Sequence, residues 1–342
     1  MYSESEIDAA VTARVISTEA AAALRDYIAA QRAAPAVDEE QFRLLTGFND
    51  IFVSVALVLA IGAIAQIGWQ LAPWLGGAGV ALAAWGAAEY FTRRRRMALP
   101  SILLLLAFVG GVAAVPIGIL VKLEPDLSEP MSALVGAGVA TLAGGAAWLH
   151  WRRFRVPITV AAGTLAGVAA TLGLVGWLVP RAEQMLLPVA LAGGLATFAL
   201  AMWWDMSDRE RRTRRTDVAF WLHLAAAPLI AHPIFQWLGV FSQEIGAGQA
   251  LLVLGLYLLF AFVALAIDRR ALLVSSLAYV LYAMAALFRQ AGAIELSAAL
   301  TALVIGGALL LLSVFWQAMR ARVVALTGGL KDLLPPVRPV TA

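Results

Sequence analysis

The stretch RRRRMALPSILLLLAFVGGVAAVPIGILVKLEPD, residues 93–126, decides the fold. Between Arg96 and Lys122 it runs for 25 residues without a charge. A helix rises about 1.5 Å per residue, so roughly 20 apolar residues cross the ~30 Å hydrocarbon core of a bilayer. Inside lipid every backbone N–H and C=O must be satisfied within the segment, which selects a helix. Working outward, similar runs fall at 51–71, 73–91, 99–121, 131–149, 156–178, 185–204, 218–240, 249–267, 271–288 and 294–316. Pro73, Pro100, Pro157 and Pro188 lie near the starts of their runs, where a missing N–H costs little. The expected fold class is all-α: a polytopic membrane helix bundle of about ten transmembrane helices in short-looped hairpins.

Composition agrees. Hydrophobic residues are 62% of the 342 and charged residues 14%, against roughly 45–50% and 25% in soluble domains. The chain has no cysteine, which excludes disulfides, thiolate metal sites, iron–sulfur clusters and covalent haem attachment. The net charge of +3 is small and its basic residues cluster between apolar runs, so nucleic acid is not an expected partner. Lysine occurs only at Lys122 and Lys331 and alanine is abundant, which suggests a GC-rich bacterial source. The expected location is the bacterial cytoplasmic (inner) membrane.

Arginine alternation sets the expected orientation. Clusters at 93–96, 152–155, 209–215, 269–270 and 320–322 occupy every second connection, whereas the intervening ones hold only Lys122, Arg181 and Arg289. Cytoplasmic loops collect Arg and Lys, so both termini are expected on the cytoplasmic side. The clusters recur every 50–60 residues, and RRxxLxSxL at Arg95, Arg96, Leu99, Ser101 and Leu103 returns at Arg269, Arg270, Leu273, Ser275 and Leu277. That spacing raises a parallel repeat, although any two short-looped crossings occupy about the same length.

Residues 1–48 read as a cytoplasmic helical segment, 49–317 as the bundle and 318–342 as a partly disordered cytoplasmic tail. Helices are expected from Glu4 to Val15, then from Thr18 with Ser17 or Thr18 as cap, and from Asp38, whose spacing to Gln41 suits a capping box. A short N-terminal helical segment followed by paired spans, with the phrase FRLLTGFND at 42–50, resembles uncharacterised bacterial multi-span membrane proteins grouped as domains of unknown function. The resemblance implies a layout and transfers no activity.

The marks of catalysis are missing. Neither lysine follows a glycine, so no phosphate-binding P-loop can form, and there is no HExxH and no GxSxG. No enzyme activity, cofactor or metal is expected. Glu89, Asp205, Asp268 and Glu295 all fall at span ends, where water or headgroups are expected to solvate them, which disfavours ion coupling through a buried acid.

The span at 218–240 carries most polar interest. On a 100° wheel Trp221, Pro228, His232 and Phe235 share a face, and Pro228 and Pro233 should free backbone carbonyls. Ser275, Tyr279 and Tyr282 form a second stripe, and Gly163 and Gly167 a GxxxG packing motif. The candidate ligand-binding residues are therefore His232, Trp221, Phe235, Tyr279 and Ser275, beside a packing role for the same groups. Two functions are expected: a carrier or binder of a small apolar or lipid-like molecule, or a non-catalytic scaffold or sensor contacting a cytoplasmic protein partner. The lipid bilayer is a partner in both.

Overall fold

The computed structural model describes residues 4–31, 48–209, 211, 213–240, 246–293, 295–332 and 334–337. These residues contain thirteen α-helices and no strand. They divide into two units, residues 4–31 and residues 48–337, each described by itself.

In the first unit α1 (Glu4–Thr12) and α2 (Thr18–Gln31) form a helical pair. Ser17 caps α2, its Oγ accepting the N–H of Ala20 at 3.0 Å, as a short hydroxyl before a helix should. α1 ends at Thr12, short of the expected Val15, because Arg14 turns into the left-handed region. Ile7 and Ala21 are buried and Arg25 pairs with Asp8 at 2.8 Å. The helix expected from Asp38 lies outside the described residues.

The second unit contains α3 (Phe48–Leu71), α4 (Pro73–Ala88), α5 (Ala98–Leu123), α6 (Glu129–Phe154), α7 (Ile158–Leu178), α8 (Glu183–Met206), α9 (Arg214–Trp237), α10 (Ala247–Ile267), α11 (Ala271–Gln290), α12 (Ser297–Val314) and α13 (Trp316–Leu326). Nine described helices, α3 and α5 through α12, are long and apolar enough to cross a membrane. The expected span at 73–91 is instead composite. α4 has 16 residues and continues directly into a π-helical segment, Glu89–Arg94.

Tight hairpins organise the bundle. α4 with α5, α6 with α7, α8 with α9 and α10 with α11 pack closely, and each pair is closed by an arginine-bearing connection. Arg96, Arg155, Arg211 and Asp268 adopt positive φ at these turns. Glycine allows the closest approach: a Cβ on Gly77 would meet the carbonyl oxygen of Gly111 at 2.8 Å, and one on Gly111 the Ala81 nitrogen at 2.7 Å. The GxxxG glycines do not set the α6–α7 spacing. Gly167 faces open space, and it is Gly173 whose Cβ would strike the Ala133 carbonyl oxygen at 2.7 Å.

α9 is the enclosed helix. In its apolar window 61% of residues are buried, against 6–39% for the other eight spans. Ala226, Ala227, Ala231 and Phe235 are fully covered, packing with Val253 and Phe260 of α10 and Ala283 of α11, while the equally covered Leu222 packs with Ala161 of α7 and Ala201 of α8. Small side chains here let neighbouring backbones approach, which is how helices gain packing energy in lipid. Pro188 lies inside α8 rather than near its start, because α8 begins at Glu183.

The chain after α12 folds back. α13, a 3-10 turn at Gly328–Asp332 and residues 334–337 follow the span, and Trp316, Val323, Val324 and Leu334 pack with Ala264, Leu265 and Ile267 of α10. Within the tail expected at 318–342, Val323, Val324 and Leu334 thus find an apolar surface to cover.

Candidate functional site

Three of the five residues singled out from the sequence come together. His232 Nδ1 stands 2.9 Å from the Tyr279 hydroxyl, and Phe235 stacks on the Tyr279 ring at 4.2 Å between centroids. Phe235 also meets Phe260 edge-on at 6.0 Å. The i, i+3 spacing of His232 and Phe235 puts both beside one α11 tyrosine. His232 faces outward, and its bond to Tyr279 satisfies a polar group that lipid could not.

Ser275 and Trp221 stand apart from that trio. Ser275 is half-buried, while its neighbour Ser276 is fully buried and donates to the Leu272 carbonyl at 2.6 Å. Trp221 shares the helix face of His232 but lies three turns, roughly 16 Å, along the axis. It packs against a buried cluster of Ala161, Ala201, Val218, Leu222 and Ala225. A helical wheel gives angle and omits height.

A second constellation gathers residues expected at solvated span ends. Asp205, on the last turn of α8, receives Arg269 Nη2 at 2.5 Å on one oxygen, and Arg269 Nε at 3.2 Å and His223 Nε2 at 2.9 Å on the other. Asp268 accepts Trp316 Nε1 at 2.7 Å and Arg211 Nη1 at 2.8 Å, with Arg320 Nε 3.5 Å away. Arg320 in turn donates to the carbonyls of Pro335 at 2.5 Å and Pro336 at 3.1 Å, and Arg209 to that of Leu334 at 3.1 Å. Arg270 lies over the Trp316 ring at 4.7 Å. Asp205, Asp268, Arg269 and Arg320 are all at most 4% exposed. The expectation of solvation at Asp205 and Asp268 is overturned: protein groups replace the water.

Local sequence explains how these groups are aimed. Asp268 adopts the left-handed conformation that ends α10, which turns Arg269 and Arg270 back along the bundle. Asp208 Oδ2 accepts the N–H and hydroxyl of Thr213 and the hydroxyl of Thr216, and so fixes the turn that presents Arg211. With two carboxylates against Arg211, Arg269 and Arg320, His223 is best neutral, donating from Nε2 to Asp205. These bonds tie the end of α8, and α9 through His223, to the α10–α11 connection.

His150 is also fully buried, 3.4 Å from the Thr159 hydroxyl and ringed by Trp85, Phe108 and Phe154. No group of three or more His, Cys, Asp or Glu able to hold a metal occurs among the described residues. An apolar groove of about 550 Å³ runs between α5, α6 and α7, lined by Ile117, Leu120, Val135, Gly136, Ala140 and Leu165 among others.

Large side chains such as Leu82, Leu258, Leu303 and Val314 are 70% exposed or more, a surface that only hydrocarbon solvates well. With nine helices among the described residues long and apolar enough to span, the chain is a multi-pass integral membrane protein in contact with the lipid bilayer. Comparison with known proteins returned no family model, no curated protein and no solved structure that matches it.

Proposed function

We infer that this protein is a non-catalytic membrane scaffold of the bacterial inner membrane, with its arginine-bearing hairpin ends facing the cytoplasm. The carrying observation is the closed interior around α9, where alanines fill the helix contacts and the buried ion network seals one end. Alternating access needs a pathway that opens to each side in turn, and α9 is the helix least free to provide one. The ion network instead supports a rigid cytoplasmic end on which a protein partner could dock.

The natural lack of cysteine makes the test direct. Ala226→Cys, Ala227→Cys and Ile230→Cys should resist a membrane-impermeant maleimide applied from either side and react only after denaturation. Labelling of the native protein at any of them would replace the scaffold with a carrier.

The groove between α5, α6 and α7 favours a second reading, binding of an apolar, lipid-like molecule. Its wall of Ala, Gly, Val, Leu and Ile suits a hydrocarbon chain and has one hydroxyl, Ser132. On this reading, Gly136→Trp should remove a co-purifying apolar ligand seen by mass spectrometry while the fold persists. A ligand retained by that variant argues for the scaffold alone.

A further inference from the structure

The first and second pairs of hairpins carry the same number of arginines and very different numbers of acids. Residues 89–96 and 152–155 hold seven arginines and one carboxylate, Glu89, whereas residues 205–217 and 268–270 hold seven arginines and five carboxylates. In the latter set Arg211 and Arg269 are taken up in internal pairs. In the former, Glu89 is already held by Arg153, at 2.6 and 3.0 Å, and by Arg93 at 3.2 Å. One carboxylate cannot neutralise the remainder. Arg94 has no acidic partner among the described residues, and Arg95, Arg152 and Arg155 lie against Tyr90, Trp148 and Trp151.

A concavity of about 430 Å³ opens where that excess lies, lined by Gly86, Glu89, Tyr90, Arg93 and Arg94. Its residues run in order along one helix, from Gly86 in the apolar part of α4 to the arginines at the end of the π-helical segment. The wider π turn offsets Arg93 and Arg94 from the α-helical repeat. Gly86 leaves a notch at the deeper end, where an added Cβ would meet no atom within 4 Å. A cationic, donor-rich mouth above an apolar notch on the lipid-facing side fits an amphiphile with an anionic head.

We propose that this concavity is a binding site for an anionic phospholipid, its phosphodiester held by Arg93 and Arg94 beside the Tyr90 hydroxyl, its glycerol and first methylenes passing Gly86. Guanidinium groups match phosphate oxygens in bidentate geometry. The site stands whether or not the protein is a scaffold, since it uses neither α9 nor the ion network.

The test uses the full chain, delipidated in neutral detergent and titrated with dioctanoyl phosphatidylglycerol, dioctanoyl phosphatidylcholine and sn-glycerol 3-phosphate, with native mass spectrometry as readout. Saturable binding of phosphatidylglycerol over phosphatidylcholine is expected. Arg93→Gln/Arg94→Gln should weaken it about 30-fold, the effect of two surface arginines near an anionic headgroup. Arg94→Gln alone, which leaves the Glu89 pairs intact, should lose part of it. Gly86→Leu should weaken the phospholipid and leave glycerol phosphate unaffected. Arg214→Gln/Arg215→Gln, an equal loss of charge elsewhere, should change little. Equal weakening by both double variants would reduce the site to general electrostatics, and binding of glycerol phosphate as tight as that of the phospholipid would make it a site for the free anion; either result overturns the proposal.

Discussion

Asp205 and Arg269 lie 64 residues apart and meet in a two-bond ion pair with side chains 3% and 2% exposed. Glu89 and Arg153 are separated by the same 64 residues and make the same two-bond contact, with side chains 33% and 41% exposed. In both, an acid at the end of one hairpin's first helix takes an arginine from the corresponding end of the next hairpin, Arg153 in the last turn of α6 and Arg269 in the α10–α11 connection. The common spacing relates α4 through α7 to α8 through α11, a shorter period than that of the RRxxLxSxL match, which links the first hairpin to the fourth.

Burial predicts opposite sensitivities for the two pairs. Arg269→Leu strands Asp205 in a site closed to water and should lower unfolding free energy by about 3–5 kcal/mol, the usual result of breaking a buried pair. Glu89→Gln should leave the thermal transition nearly unchanged, since solvent screens exposed pairs. Calorimetry in detergent distinguishes them, and similar shifts for both would refute the assigned burial.

Trp316 should act as the latch of α13. Trp316→Phe keeps the ring but deletes the 2.7 Å bond to Asp268, so α13 and the segment that Arg320 holds should loosen. Trypsin would then cut after Arg320 and Arg322 faster than in the parent chain. An unchanged digestion rate would mean that the apolar contacts of Val323, Val324 and Leu334 suffice.

A double-mutant cycle resolves the role of His232. His232→Phe and Tyr279→Phe remove two ends of one 2.9 Å contact and should couple by roughly 0.6–1.7 kcal/mol, as inter-helix hydrogen bonds in membranes do. Thermal unfolding of the two single variants and the double variant provides the measurement. Additive effects would show that the two groups act on separate partners.

Orientation follows from arginine counting and calls for its own experiment. Reporters fused within residues 93–96 and 209–215 should be cytoplasmic, and those within 122–130 and 241–248 external. One reversed location among the four would break the alternation and with it the crossing expected at residues 73–91.

What the sequence makes legible is what depends on nearby residues. The long spans emerge because bilayer thickness imposes a length, and the Ser17 cap because it acts within three residues. The pairing of Asp205 with Arg269 was invisible, since an acid at a span end looks alike whether water or a guanidinium 64 residues away receives it. Acids set within arginine-rich turns were the available signal. His232, Phe235 and Tyr279 could be grouped because each stripe repeats within one helix, but Trp221 was drawn in by its angle although it lies turns away. The π-helical exit from α4 left no mark in the hydropathy.

The clasp of Arg320 on the Pro335 and Pro336 carbonyls sets an order of events during synthesis. Glu89 and Arg153 can meet as soon as the turn after α6 has left the ribosome. Asp268 must wait for Trp316, and Arg320 for two prolines farther along. A nascent chain therefore carries an incompletely paired carboxylate at the end of α10 through the making of two more helices. That interval is when a chaperone at the membrane surface, or a protease, would find this protein most open to its attention.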